Sequence, residues 1–177
     1  DLIAQGMSGV MSVTGEPDGE PMKVGIAIVD ITTGMFACNA ILAALRVRDQ
    51  TGKGQKIDMA LLASAVAWLA NVGSAYLVTG ELPKRYGNAH ANLVPYQTFK
   101  ARDRWMTVGV GNDRQFQILC RILGMEHLAT DERFATNPAR VANRDELIPI
   151  LQEAFATRDA DDWLEELSAA GIPCGPI

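Results

Sequence analysis

Residues 24–58 read VGIAIVDITTGMFACNAILAALRVRDQTGKGQKID, and the parsing of this stretch decides the fold. Gly25 to Val29 is a short run of small and apolar residues, the pattern of a buried strand. From Met35 to Leu45 the spacing becomes helical, with Met35, Ile41, Leu42 and Leu45 on one face. Asp30 stands at the handover. An Asp just before a helix ordinarily accepts hydrogen bonds from the free N–H groups of the first turn; at the end of a buried strand it is equally a candidate for chemistry. TGKGQ (51–55) reads as a glycine-rich turn, followed by a short strand from Lys56 to Met59 and a long helix from Ala60 to Val78. The order is βαβα, which predicts parallel strands covered by helices, with sites at the carboxyl ends of the strands, where Asp30 lies. TGKGQ is not a phosphate loop: Val47 stands where the earlier glycine is needed, and Gly54 where Ser or Thr must follow the lysine.

Outward from this stretch, Leu2 to Met11 reads as a helix ended by the turn-rich TGEPDGEP (14–21). On the other side TGELPKRYGNAHA (79–91) carries turn residues and no apolar periodicity. These features predict a first domain over 1–80, a linker over 81–91 and a second domain over 92–177. In the second, Tyr96 to Ala101 and Trp105 to Val110 form a hairpin about Arg102 to Arg104, and a helix from Asp113 to Leu123 ends at Gly124. Asn143 with Glu146 resembles a capping box for a helix over 146–156, and Asp159 with Asp162 opens a last helix over 161–170, stopped by Gly171 and Pro173. The charge cluster from Asp159 to Asp162 is then a helix start favoured by the dipole. Trp68, Trp105 and Trp163 are core or interface anchors.

The 177 residues suffice for one domain or two small ones, and 48% hydrophobic with 21% charged residues is ordinary for a folded protein. A net charge of −5 gives no nucleic-acid surface. Three scattered cysteines, Cys38, Cys120 and Cys174, and two distant histidines, His90 and His127, argue against a disulfide framework and against a metal site, and point to a reduced, cytoplasmic protein. No leader is visible and no apolar run reads as membrane-spanning; Met59 to Val78 is interrupted by Ser64, Asn71, Gly73 and Ser74. Gly109 and Gly111 in VGVGN are too little for a nucleotide fingerprint.

Five segments in this order, DLIAQGMSGVMSVTGEPDGEP (1–21), VGIAIVDITTG (24–34), RDQTGKGQKIDMALLASA (48–65), YGNAHANLVPYQTFKARDRWMTVGVGNDRQFQILCRILG (86–124) and AAGIPCGPI (169–177), resemble the family III CoA-transferases, the group that includes formyl-CoA and carnitine CoA-transferases. The resemblance implies an α/β fold: part of a Rossmann-like large domain plus a small α+β domain, in an interlocked homodimer. The matched portion is the central part of longer relatives. It implies coenzyme A and acyl-CoA as substrates, no metal, and Asp30 as nucleophile. A carboxylate attacking the thioester forms a mixed anhydride and frees CoA thiolate. The thiolate then attacks the enzyme acyl group to give an aspartyl-CoA thioester, and an incoming acid reverses the sequence. N–H groups at a helix start beside Asp30 would serve the oxyanions.

Gly34, without a side chain, would let a substrate approach closely. Gln5 matches a Gln near the family's active site and would hydrogen-bond an acyl or carboxylate group; its other reading is a polar residue on a helix surface. His90 lies in a segment that approaches the acyl pocket, or is a solvated linker side chain. Arg104 stands where relatives have Gly at the hairpin tip. The position before Asp1, aromatic in the transferases, is a His in the related acyl-CoA racemases, where Asp30 would act as a base. The alternatives are therefore a racemase or a catalytically inactive fragment, although AQGMSG and VDITTG resemble the transferases more.

Overall fold

Strand β1 (Tyr96–Lys100) pairs antiparallel with β2 (Trp105–Gly109), from Tyr96 opposite Gly109 to Lys100 opposite Trp105. Alternation places Phe99, Met106 and Val108 in the core and turns Thr98, Thr107, Lys100 and Trp105 to the other face. Tyr96 lies so close over its partner that a Cβ at Gly109 would stand 2.9 Å from the ring. A third strand, β3 (Cys174–Pro176), pairs antiparallel with β2 and completes a sheet of order β1-β2-β3. It was not anticipated, because three residues ending in Gly-Pro carry no strand signal of their own.

The computed structural model describes residues 1–177 and divides into two compact units, Asp1–Gly87 and Asn88–Ile177. The expected linker is shared between them. Arg85 donates to the carbonyls of Glu16, Pro17 and Gly19 in the first unit, and the Gly87 N–H donates to Gly15 O. His90 is bound within the second unit, its N–H donating to Tyr96 O.

Helices cover one face of the sheet in the C-terminal unit: α6 (Asp113–Ile122), α7 (Glu126–Thr130), α8 (Asn137–Ala142), α9 (Arg144–Phe155) and α10 (Ala160–Ala169). Phe99, Met106, Phe116, Leu119, Phe134, Leu147, Leu151, Phe155 and Leu167 form one buried cluster. α9 starts two residues before the expected position. Asn143 does not cap it with its side chain, which donates instead to Arg133 O and Ala139 O. Trp163 is buried and donates its indole N–H to Phe155 O, whereas Trp105 is half exposed.

The hairpin tip docks on the start of α10. Arg102 makes a bidentate pair with Asp159 at 2.8 and 2.7 Å, Asp103 accepts the Ala160 N–H at 2.8 Å, and Arg104 pairs with Asp161. The acidic cluster therefore serves a tertiary contact as well as the helix dipole. The Arg102 hydrogen bond holds the Asp159 carboxyl below its usual range, and the Ala160 N–H does the same for Asp103. Arg133 likewise lowers Asp131. Each folded pKa lies below the unfolded value of 3.8, so the stability contributed is fully present above that pH and is lost as pH falls through the lowered values. The melting temperature of the C-terminal unit is expected to hold down to about pH 4 and to drop below it. A pH series of thermal melts, with Asp103→Asn flattening the acid fall, checks this.

The N-terminal unit is entirely helical: α1 (Leu2–Ser8), α2 (Val10–Val13), α3 (Ile28–Thr51), α4 (Leu61–Ala67) and α5 (Ala70–Thr79). The expected strands at 25–29 and 56–59 are absent, and with them the βαβα alternation. A strand exists only when paired, and this unit supplies no partner strand; Ile28 and Val29 are instead taken into α3. The expected helix over 60–78 is broken into α4 and α5, which meet at 79°, with Ala70 at φ +38° marking the break.

Ala4, Val29 and Ala65 form one small buried cluster in this unit, with Ile28 packed beside them, and Val10 is buried apart from it. Met35, Ile41, Leu42 and Leu45, the expected apolar face of α3, are all exposed, as are Phe36, Trp68, Leu77 and Val78. α3 spans 24 residues, and an 18-residue window of it has a mean hydropathy of 1.7 with only 11% of that window buried. It is thus long and apolar enough to cross a membrane, contrary to the expectation from sequence, although core helices of soluble proteins have the same composition.

Candidate functional site

Asp30 is the third residue of α3, in its first turn rather than before it, and its side chain is about half exposed. Capping is done from elsewhere. The Asp1 carboxylate accepts the Val29 N–H at 2.8 Å, and the Ile28 N–H closes on Ile26 O at 2.8 Å. One N–H expected to serve an oxyanion is therefore already taken. The main-chain nitrogen of Asp1 lies 3.4 Å from Asp30 Oδ1, so Asp1 both fixes the start of α3 and borders the carboxylate.

Gln5 is fully buried. Its Nε2 donates to the Asp1 carboxylate and its Oε1 accepts the Val24 N–H at 2.8 Å. Neither helix-surface exposure nor a free amide describes it: both polar ends bind this chain, holding the approach to α3. Asp1 was missed in the sequence, although Asp1 and Gln5 stand at the i, i+4 spacing of a hydrogen-bonding helical pair. Replacing Gln5 by alanine strands the Val24 N–H and frees Asp1. The expected cost to the N-terminal unit is about 1–3 kcal/mol, read as a lowered thermal midpoint.

Gly34 is one helical turn beyond Asp30, on the same face, and is exposed. A Cβ there would meet no heavy atom within 4 Å. Glycine inside a helix costs roughly 0.5–1 kcal/mol relative to alanine, so nothing in the chain's own packing explains it.

His90 belongs to the C-terminal unit and is not a loose side chain. Its Nδ1 accepts the N–H groups of Asn92 and Leu93 at 3.0 and 3.1 Å, which places the ring hydrogen on Nε2. The ring meets Tyr96 edge-on at 5.6 Å. Three side chains from α8 and α9 hold the following loop: Arg144 donates to Ala91 O at 2.6 Å, Asn137 donates to Asn92 O at 2.8 Å, and Arg140 donates to Val94 O at 2.6 Å. Val94 and Pro95 are joined by a cis peptide bond.

Arg140 is fully buried. It also donates to Phe134 O and Asp113 Oδ1, both at 2.9 Å, and lies over the Phe116 ring at 4.3 Å. Burial lowers its pKa while Asp113 opposes the shift. Near it, burial pushes the Cys120 thiol up to about 11. A depression of about 370 Å³ on the open sheet face is lined by Asn88, Tyr96, Thr98, Thr107 and Cys174, without a charged side chain. Nowhere do three His, Cys, Asp or Glu side chains gather closely enough to hold a metal ion.

Comparison with known proteins matches this chain to one family. The model of CoA-transferase family III matches residues 1–177. The chain is 46% identical to succinyl-CoA:glutarate CoA-transferase of Mus musculus and 48% identical to succinate–glutarate CoA-transferase of Agrobacterium fabrum, in each case over the whole chain. It spans 41% and 44% of the length of those relatives. Among solved structures, a CAIB/BAIF family protein from Brucella suis is 51% identical with a TM-score of 0.82, covering all of this chain and 47% of that one. The mixture of helices with a small antiparallel sheet is thus that of part of the CAIB/BAIF fold, and the chain belongs to CoA-transferase family III.

Proposed function

We propose that this chain carries the nucleophile of an enzyme that moves CoA between an acyl-CoA and a carboxylic acid, the acids being dicarboxylic as in the names of its similar relatives. The observation that supports this most is identity of 46% and 48%, along the whole chain, to two transferases named for succinyl and glutarate groups. Asp30 is the attacking group: it stands in the first turn of α3, half exposed. Attack on the thioester carbon forms a mixed anhydride and expels CoA thiolate. The thiolate attacks the Asp30 acyl carbon, releases the first acid, and leaves an aspartyl-CoA thioester for the second acid to discharge. Leaving groups on the two sides are alike, so each step is close to balanced.

Gly34 supports the reading, since an exposed helical glycine with open space at its Cβ position suits close approach by a substrate. Gln5 acts by holding the Val24 to Asp30 approach, while His90 keeps its Nε2–H as a donor on a fixed loop of its own unit. The exposed apolar faces of α3 and α5 suit a homodimer, which light scattering reads directly.

The deciding experiment incubates the protein with succinyl-CoA and glutarate. Glutaryl-CoA should appear, and peptide mass spectrometry of the quenched reaction should find the CoA adduct on Asp30. Label on another residue, or turnover without any label on rapid quenching, sinks the assignment.

A further inference from the structure

One buried side-chain polar atom in this chain has no hydrogen-bond partner, and it lies one turn from Asp30: the hydroxyl oxygen of Thr33. The omission is specific to this residue. Its neighbour Thr32 donates to Ile28 O at 2.7 Å, Thr51 to Val47 O at 2.8 Å, and Ser64, Ser74 and Thr79 likewise bond back to the carbonyl four residues before them. A buried hydroxyl without a partner is unfavourable, and a valine in its place would fill the same space without that cost.

Helical register says what the hydroxyl is near. At 3.6 residues per turn, Thr33 projects about 40° from Val29 and about 60° from Asp30 around the axis of α3. Val29 and Thr32 are buried, and Thr33, Ala37, Ala40 and Ala44 are partly so, the stripe along which α3 is packed. Thr33 therefore sits between the centre of that stripe and the carboxylate. Residues three apart on a helix are surface neighbours, with Cβ atoms about 5–6 Å apart. Rotation about χ1 of Thr33 exchanges its hydroxyl and methyl positions.

We propose that Thr33 is a positioning residue for Asp30, its O–H donating to one carboxylate oxygen while the other attacks the thioester. This rests on Asp30 being the nucleophile. When the attacking oxygen bonds to the acyl carbon and CoA thiolate leaves, the oxygen held by Thr33 becomes the carbonyl of the anhydride. When the thiolate then adds to the Asp30 carbon, that carbonyl oxygen takes the negative charge, and the Thr33 hydrogen bond strengthens. It weakens again as the first acid departs and the aspartyl thioester forms. No proton changes hands. Relative to the anhydride, that oxygen gains charge as the thiolate adds, and a hydrogen bond that strengthens there raises turnover rather than substrate affinity.

Thr33→Val and Thr33→Ser in this protein test it, with Asp30→Ala as reference. The expected result is a fall in kcat of about 100-fold for Thr33→Val, the usual effect of losing one such donor, with KM nearly unchanged. Its thermal midpoint should equal or exceed that of the parent, and Thr33→Ser should restore most of the rate. A Thr33→Val enzyme turning over at the parental rate, beside an inactive Asp30→Ala, overturns the proposal and leaves Asp30 standing. Equal losses in the Val and Ser variants with lowered midpoints also overturn it, because packing then explains both. An active Asp30→Ala, or a parent protein without CoA transfer, removes the nucleophile reading and Thr33 with it.

Discussion

Alanine at Asp30 is expected to reduce CoA transfer by at least about a thousandfold, because a covalent route loses its attacking atom and no neighbouring side chain replaces it. The carboxylate is half exposed, so little stability goes with it. The helix-dipole contribution of an acidic residue in a first turn is about 0.3–1 kcal/mol at an exposed position. Thermal midpoints of the parent and Asp30→Ala should therefore be close, while initial rates of glutaryl-CoA formation from succinyl-CoA differ by orders of magnitude. Asp30→Asn separates the roles further. It keeps size and polarity but removes the anionic nucleophile, and should be as inactive as the alanine variant. A variant retaining a tenth of the parental rate would mean that the thioester is attacked by something else.

Arg140→Ala is the stability counterpart. The guanidinium is fully buried and supplies hydrogen bonds to Val94 O, Phe134 O and Asp113, with the Phe116 ring beneath it. Truncation leaves two carbonyls unsatisfied and opens a cavity beside Phe116. Asp113 is half exposed and keeps its solvation, so the loss comes from the two carbonyls, at about 1–3 kcal/mol each, and Arg140→Ala is expected to cost about 3–5 kcal/mol with the cavity included. That is a large part of the stability of a unit of this size. Arg140→Lys should recover only part of it, since an ammonium cannot reproduce the planar fork that reaches two carbonyls and a carboxylate. Denaturant melts followed by Trp163 fluorescence read the loss, because that indole is buried in the same core. A shift under 1 kcal/mol for the alanine variant would show that the loop from His90 to Pro95 is held without Arg140.

What could be read from the sequence divides along the same line as the chain. In the C-terminal unit the hairpin, α6 and α10 stand close to the expected places, because each announces itself locally: alternation about Arg102 to Arg104, Asn112 capping α6 through the Gln115 N–H, and Gly171 after α10. The sequence reading gives α8 no bounds, although Thr136 followed by Asn137 and Pro138 is a helix start; Thr136 does cap it, and Pro138 sits in its first turn. In the N-terminal unit Gly25 to Val29 is equally apolar as a strand or as the entry to a helix, and pairing, which decides between them, is not a local property. Asp30 stands out in the sequence as a lone acid after an apolar run, and the family resemblance is what makes it a candidate nucleophile. Asp1 and Gln5 were harder: their meaning lies in bonds to Val29 and Val24, on chain well outside α1. Arg140 was illegible for the opposite reason, since an arginine among polar residues is expected in solvent and nothing local says that three acceptors await it.

Glycine at the end of β2 looks like the weakest residue of its strand, yet it sets where a neighbouring ring lies. The Tyr96 ring rests where a methyl group at Gly109 would be, and the His90 ring rests against the edge of Tyr96. The height of one aromatic ring above the sheet is thus set by an absent carbon, and the histidine takes its bearing from that ring. An alanine at 109 would tilt Tyr96 first and His90 second, so the smallest possible change in the sheet would reach the imidazole without touching it.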